Sequence, residues 1–258
     1  MAVAARKLVD VKSKTLRSKP AFAASANRLI AALPRRSQSR FLSSCETVEL
    51  KFAAVVCVEG KPLEDVYFPT DSVISLVSVL ADGARLEVGI IGNEGMLGTS
   101  IPLGVNVSPL RAVVQGTGSA LRMSAAAFRR HCKQDNDLRE VMNRYVHVLM
   151  EQLALTAACT RYHRVERRLA RWLLMTRERV GNDRFHLTHE FLAYMLGVRR
   201  AGVTHAARSL QARGLIDYRR GAITVLDAAG LRKASCACYA RGNRIYECTL
   251  ASAQVSRR

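Results

Sequence analysis

Residues 187–216 read LTHEFLAYMLGVRRAGVTHAARSLQARGLI, and few architectures accept such a stretch. Thr188 has the chemistry of a helix N-cap, and Glu190 falls in the first turn, where the helix dipole favours an acid. Phe191, Leu192, Met195 and Leu196 fall on one side of that helix, and Gly197 ends it. A second helix begins near Arg199 or Arg200. Along it Val203, Ala206, Ala207 and Leu210 form one apolar stripe, while Arg200, Thr204, His205, Arg208 and Gln211 point the other way. In length, turn and stripe this is a helix-turn-helix.

The start of the second helix is badly chosen for folding alone. Cations in a first turn oppose the macrodipole at about 0.3–1 kcal/mol, and Gly202 inside a helix costs up to about 1 kcal/mol relative to alanine. Both choices suit a helix tip that enters the major groove of DNA. There an arginine can bond a guanine edge, and a residue without a side chain lets backbone approach phosphate. A solvated helix start with flexible arginines is the plain alternative. Downstream, GLIDYRRGAITVLD reads as two short strands about a turn at Arg220-Gly221, which makes a basic wing with Arg219 and Arg220 facing sugar-phosphate. Asp227 caps a last helix from about Ala228.

Charge is distributed to match. Residues 1–40 hold 10 Lys/Arg against 1 acid, residues 41–160 hold 10 against 13, and residues 161–258 hold 20 against 7. A faintly acidic middle and a strongly basic last third point to a polyanionic partner for the latter. The 258 residues suffice for two ordinary domains. Neither a long apolar run nor a signal-peptide pattern is visible, so a cytoplasmic protein is expected. Residues 1–26 read as a basic, flexible tail.

Between Asn27 and residue 133 the pattern is that of an antiparallel β-roll. A short helix, NRLIAAL, precedes Pro34, and VYFP, SVISLVSVL, ARLEVGII, RAVVQ and ALRM have strand period and β-branched content. Asp82-Gly83 supplies a hairpin turn, and Ser124 caps the helix AAAFRRHC. Residues 134–162 form a long helix in which Leu138, Met142, Tyr145, Leu149, Gln152, Thr156 and Cys159 recur at spacings of four and three. That is a seam for a dimer partner; a helix packed on its own domain has the same pattern. The next helix, RVERRLARWLLMTRERV, puts Val165, Leu169, Trp172, Leu173 and Val180 on one face and arginines on the other. The winged unit spans residues 163–240 and a tail 241–258.

The seven cysteines lack paired C-x-x-C spacing and read as reduced thiols; CAC at 236–238 is able in principle to bind metal, with ordinary helix packing the expected reading. His186 and His189 are three apart with no third ligand in view. No metal site is expected, and no catalytic residue: no phosphate loop, G-x-S-x-G or H-E-x-x-H occurs.

The order of β-roll, long helix and winged helix-turn-helix is an α+β architecture. With EDVYFPTDSVISLVSVLADGARLEVGIIGNEGMLG and the 187–216 stretch, it resembles the Crp/Fnr family of bacterial transcription regulators from about Asn27 to about Tyr239. The resemblance implies a homodimer joined along the long helix, reading a roughly palindromic double-stranded site, with RNA polymerase as a further partner. Arg200 takes the place of the family's base-reading arginine, Ala201 stands where an acid is usual, and His205 holds a second specificity position. With Arg199, Gly202, Thr204, Arg208, Thr188, Arg219 and Arg220 these make the expected DNA-binding set.

The cyclic-nucleotide-binding-like roll carries GMLGTSIPLGVNVSPLRAVVQ where the family's nucleotide cassette lies. Gly98, Thr99, Arg111 and Ala112 are its pocket candidates. Arg111 occupies the arginine position, but Thr99 replaces the expected glutamate, and one hydroxyl does not replace a carboxylate toward ribose. Cyclic AMP is therefore not expected as ligand, and no cofactor is assigned; Cys57 and His147 read as a packed thiol and a solvated helical imidazole rather than haem ligands. The competing reading is a small-molecule sensor or protein-interaction module whose winged domain binds a protein instead of DNA.

Overall fold

The computed structural model describes residues 27–219 and 221–251. The expected basic tail of residues 1–26 and Arg220 at the wing tip lie outside them. Two helices, α1 (Arg28–Ala31) and α2 (Arg35–Leu42), open the described chain. Seven strands follow: β1 (Glu46–Leu50), β2 (Val55–Cys57), β3 (Asp65–Pro69), β4 (Val73–Val79), β5 (Arg85–Ile91), β6 (Arg111–Gly116) and β7 (Gly118–Ser124). They form two antiparallel sheets, ordered β1-β7-β3 and β2-β6-β4-β5. The five strand runs read from sequence are all strands; β1 and β2 join them on weaker local signals, β2 being only 3 residues long with a register shift between Val55 and Cys57.

Local chemistry sets the joints of the roll. Asn27 is fully buried: its Oδ1 accepts from the Leu29 and Ile30 amides, and its Nδ2 donates to the carbonyls of Pro69 and Gly95 at 2.9 and 3.0 Å. One side chain thus caps α1 and pins it to the end of β3 and to the turn at Gly95. In the β4–β5 hairpin Gly83 takes φ +82° and Asp82 Oδ1 accepts from the Ala84 amide, the turn chemistry that Asp-Gly predicts.

Ser124 caps α3 (Ala125–Gln134) by accepting from the Ala127 amide at 3.2 Å. Asp135 then caps the long helix α4 (Asn136–Tyr162). Leu138, Met142, Tyr145 and Leu149, expected at a dimer seam, are instead packed into the core of their own roll. Tyr145 lies so close to Gly95 that a Cβ there would stand 2.1 Å from its hydroxyl. Gln152 and Thr156 are half-buried, and Cys159 is buried against Cys236 and Cys238. The intramolecular alternative is therefore the correct one for these positions: the roll's open face needs apolar cover, and the nearest amphipathic helix supplies it. The outward face of α4 carries a second series at the same spacing, Asn143, His147, Met150, Ala154, Ala157 and Arg161, every one of them exposed and outside the core clusters.

Beyond the break at His163, α5 (Val165–Val180) buries Leu169, Trp172 and Leu173 as its pattern predicts. Its arginines do not all face water. Arg168 is buried and donates to the carbonyl of Leu196, and Arg179, with 10% of its side chain exposed, pairs with Glu94 at 2.7 Å. The strand β8 (Arg184–His186), the helices α6 (His189–Leu196) and α7 (Arg200–Ala212), and the strands β9 (Ile216–Arg219) and β10 (Ala222–Val225) complete the winged unit, with sheet order β8-β10-β9. Two helices follow, α8 (Ala228–Ala234) and α9 (Cys238–Tyr246). Residues 241–246, expected in a tail, belong to α9, and a π-helical segment, Glu247–Ala251, extends it. Tyr246 is buried in the roll core, with Arg28 stacked over its ring at 5.1 Å, so this end of the chain is held by packing.

The winged unit is docked on the four-stranded sheet. Trp172 Nε1 donates to Glu87 Oε1 at 2.7 Å, Gln115 bridges Ser75 and Thr176 at 2.6 and 2.9 Å, and Arg85 stacks over Tyr194. Among the described residues Glu87 Oε2 finds no partner, and burial pushes the carboxyl from the usual 4.5 up to about 7. The folded chain therefore holds this proton more tightly than the unfolded chain does. The stabilisation it gives is complete below about pH 4.5 and is lost as the pH rises through about 7. Thermal unfolding across that window is expected to show a falling midpoint, and Glu87→Gln should flatten the fall; an equal slope in the variant would assign it to another group.

Candidate nucleic-acid interface

The site grows from three local signals. Thr188 Oγ1 accepts from the Phe191 amide at 3.1 Å, which fixes the first turn of α6. Gly197 ends that helix at φ +61°, in the left-handed region, and a Cβ there would also stand 2.8 Å from Leu86. The turn Gly197–Arg199 then aims α7 so that Val203, Ala206, Ala207 and Leu210 are buried. As the stripe predicts, Arg199, Arg200, His205, Arg208 and Gln211 are exposed and Thr204 is half-buried.

Along this face lies an open groove of about 1050 Å³, walled by His189, Arg200, Thr204, His205, Arg208 and Tyr218. His189 stacks on Tyr218 with ring centroids 4.4 Å apart and an angle of 15°, and its Nδ1 shares a hydrogen bond of 2.9 Å with the Thr204 hydroxyl. Tyr218 in turn donates to the Leu187 carbonyl at 3.1 Å. Burial, and then the charges of Arg200 and Arg208, hold the His189 imidazole below its usual pKa. This histidine therefore works as a neutral strut that joins α6, α7 and the wing, and Thr204 is committed to it from the α7 side. Neither contact is legible in the sequence, because His189 and Tyr218 are paired only once the wing folds back. The nearest sequence signal is the aromatic residue in β9.

Arg219 stands at the end of β9 with its side chain 81% exposed, held loosely by Asp217 at 3.1 Å. Of the expected set, Arg200, Thr204, His205 and Arg208 line the groove; Thr188 and Arg199 cap α6 and α7, Gly202 lies in the first turn of α7, and Arg219 ends β9. The pocket candidates of the roll behave otherwise. Gly98 is buried at φ +109°, where a Cβ would meet Val66 Cγ1 at 2.5 Å. Ala112 is fully buried in β6 opposite Leu76 and Cys57, so it serves the core. Thr99 and Arg111 are half-buried. Cys57 is buried in β2, and His147 is exposed and paired with Glu151 at 3.0 Å. Among the described residues a cluster gathers Cys159, His163, Cys236 and Cys238, whose ligand atoms all lie within 4.8 Å of one another; sequence reasoning weighed only its CAC half and set it aside. The i, i+4 pair on α4 and the Cys-x-Cys on the α8–α9 link are its only local signals, and these stretches are far apart in the chain.

Comparison with known proteins agrees with this geometry. Residues 167–234 match the family described as the Crp-like helix-turn-helix domain. Among curated proteins none matches the chain. Among solved structures, FixK2 from Bradyrhizobium japonicum is similar with a TM-score of 0.64 at 15% identity, over 75% of this chain and 98% of that one. A c-di-GMP-responsive global regulator, CLP from Xanthomonas campestris, gives 0.62 at 14%, over 75% and 100%. A Crp/Fnr-family transcriptional regulator from Thermus thermophilus gives 0.60 at 20% identity, over 74% and 98%. These likenesses establish the fold. It joins a β-roll to a winged helix-turn-helix unit. Residues 167–234 carry the match to a Crp-like helix-turn-helix domain, and the chain as a whole shares the fold of Crp/Fnr-type structures.

Among the described residues no helix is long and apolar enough to cross a membrane. At Gly202 a Cβ would meet nothing within 4 Å. In the free protein Gly202→Ala is therefore expected to stabilise α7 by up to about 1 kcal/mol, read as a raised unfolding midpoint. A lowered midpoint would mean that this position is packed.

Proposed function

We propose that the protein is a sequence-specific regulator that binds double-stranded DNA as a homodimer in the cytoplasm, with residues 199–212 as the recognition helix in the major groove. The observation that carries this reading is the free cationic tip of α7. Arg199, Arg200, His205 and Arg208 are exposed together on a helix whose other face is buried in a Crp-like domain. Arg200 reads a base edge, Arg208 and His205 lie further along the groove, and Arg219 with Arg220 holds the phosphate backbone through the wing. Gly202 lets the helix backbone come close to phosphate. RNA polymerase is the further partner that a regulator of this class addresses. The roll serves as scaffold or senses a signal of another kind than cyclic AMP, since Gly98 and Ala112 are closed within its core.

For the dimer the expected seam moves to the other face of α4. Met150 is 63% exposed, and Ala154 and Ala157 one and two turns on are small enough for two helix backbones to approach closely. With Asn143, His147 and Arg161 they repeat at four and three, which suits a partner helix related by a two-fold axis.

Selection from random DNA is expected to enrich a two-fold site with half-sites about one helical turn apart, bound with an affinity that falls steeply with salt. Arg200→Ala should cost about 1–3 kcal/mol and relax preference at one base pair, whereas Arg219→Ala should weaken all sequences alike. Unchanged affinity and preference in Arg200→Ala would refute the recognition assignment, and failure to enrich any sequence would favour a protein partner for the winged domain. In analytical ultracentrifugation Met150→Glu should give monomers; a dimer that persists would move the interface off α4.

A further inference from the structure

The C-terminal end of α4 and the link between α8 and α9 meet in a compact group of soft ligands. Cys159 Sγ lies 3.5 Å from Cys236 Sγ, and Cys238 Sγ lies 3.6 Å from His163 Nδ1. All four ligand atoms fall within 4.8 Å of one another. The three cysteines are buried and the histidine is half-buried. In a tetrahedral zinc–thiolate centre, zinc–sulfur bonds of about 2.3 Å set neighbouring sulfurs about 3.8 Å apart. The Cys159–Cys236 separation is of that size, and the 3.6 Å between Cys238 and His163 suits a sulfur and a nitrogen on one ion. An iron–sulfur cluster, being several ångströms across, needs its ligands more widely spread. A disulfide requires its sulfurs at about 2.05 Å and would use only two of the three thiols.

From this geometry we propose that Cys159, His163, Cys236 and Cys238 form a Cys3His site for one zinc ion. Two of the ligands come from a single helical turn, because positions four apart share a face of α4. His163 is also the residue at which α4 ends, its amide donating to the Cys159 carbonyl at 3.1 Å. The other two come from a Cys-x-Cys step at the mouth of α9: Cys236 lies just after α8, and Cys238 is the first residue of α9. Three thiolates around a divalent ion leave one excess negative charge. The cations to balance it are at hand. Arg171, on the α5 turn facing the cluster, donates to Thr156 Oγ1 at 3.3 Å and has a buried Nε without a partner among the described residues, and both it and Arg168 lie near enough to act on the charge at Cys159. A donor of this kind beside a ligand thiolate is what orients and stabilises such centres.

The four ligands are contributed by the end of the roll's long helix and by the last helices of the chain, on either side of the α4–α5 break. A bound ion therefore staples α9 to α4 and fixes the angle at which the winged unit leaves the long helix. It binds only as the thiols lose their protons, so uptake releases protons and strengthens with rising pH.

The test uses the full-length chain, reduced and purified without chelators. Elemental analysis is expected to find one zinc per chain. Replacing it with Co2+ should give the visible bands of tetrahedral cobalt and a near-ultraviolet thiolate charge-transfer band. Cys238→Ser and His163→Ala should each lose most of the retained zinc, and Cys238→Ser saturated with Co2+ should show about a third less charge-transfer intensity per bound ion, one of three thiolates being gone, while Cys248→Ser, an exposed thiol outside the cluster, keeps both. Removal of zinc by a chelator should lower the unfolding midpoint of the wild type and leave that of Cys238→Ser unmoved. If the variants do not fold, the cobalt spectrum of the wild type decides alone. Absence of metal together with a featureless cobalt titration overturns the proposal, as does a Cys159–Cys236 disulfide in the freshly isolated protein, or zinc content unaffected in both ligand variants.

Discussion

The pairing of Arg179 with Glu94, 2.7 Å apart and nearly closed off from water, governs how the two halves of the molecule meet. A charge so placed is costly unless its partner is present, and breaking a buried pair of this kind costs about 3–5 kcal/mol. Glu94 also accepts from the Gly92 amide, and Gly92 is where a Cβ would collide with Arg179, at 2.7 Å from its Cγ. The turn at residues 92–95 is thus shaped around an arginine that comes from the winged unit. Trp172 on Glu87 and Thr176 on Gln115 continue the same line along α5, so that successive turns of one helix address three elements of the roll. Polar pairs add less to stability than to register, since they are satisfied in only one alignment.

That alignment leaves the outer side of the winged unit free. Because Val203, Ala206, Ala207 and Leu210 are spent on the domain core, α7 carries its arginines to solvent. The His189–Tyr218 stack and the Thr204 contact keep the helix and the wing at a fixed distance. The arginines of α7 thus stand on a helix that is tied to the wing. Arg200 has no capping function to perform and no acid in its turn, so its unfavourable position against the helix dipole is tolerated by packing elsewhere.

The long helix shows how one pattern can satisfy two demands. Positions from Leu138 to Leu149 close the roll, and the series from Asn143 to Arg161 repeats the same spacing half a turn away. A helix with both kinds of face is committed intramolecularly first, because its own roll is present at far higher effective concentration than any partner. Under the proposed dimer, the face left for association is smaller and less apolar than the seam read from the residues alone, with alanines in place of leucines. Close backbone approach then has to supply what side-chain volume does not.

Local signals were enough to identify the helix-turn-helix, the hairpin at Asp82-Gly83 and most of the strands, because caps, glycine turns and apolar periods act within a few residues of one another. The outward side of α7 followed from the same logic: once a stripe such as Val203 to Leu210 must be buried, its opposite must be wet. The choice between two usable faces of α4 depended on tertiary contact, since periodicity carries no label for the surface that will cover it. So did the inward turn of Arg168 and Arg179, which on a helical wheel look like solvent residues and become buried only because acceptors arrive from segments 28 and 85 residues away. The gathering of Cys159 and His163 with Cys236 and Cys238 belongs to the same class. Spacing within a chain reveals ligands that share a turn or a loop, while a site assembled from two distant stretches exists only after the chain has closed on itself.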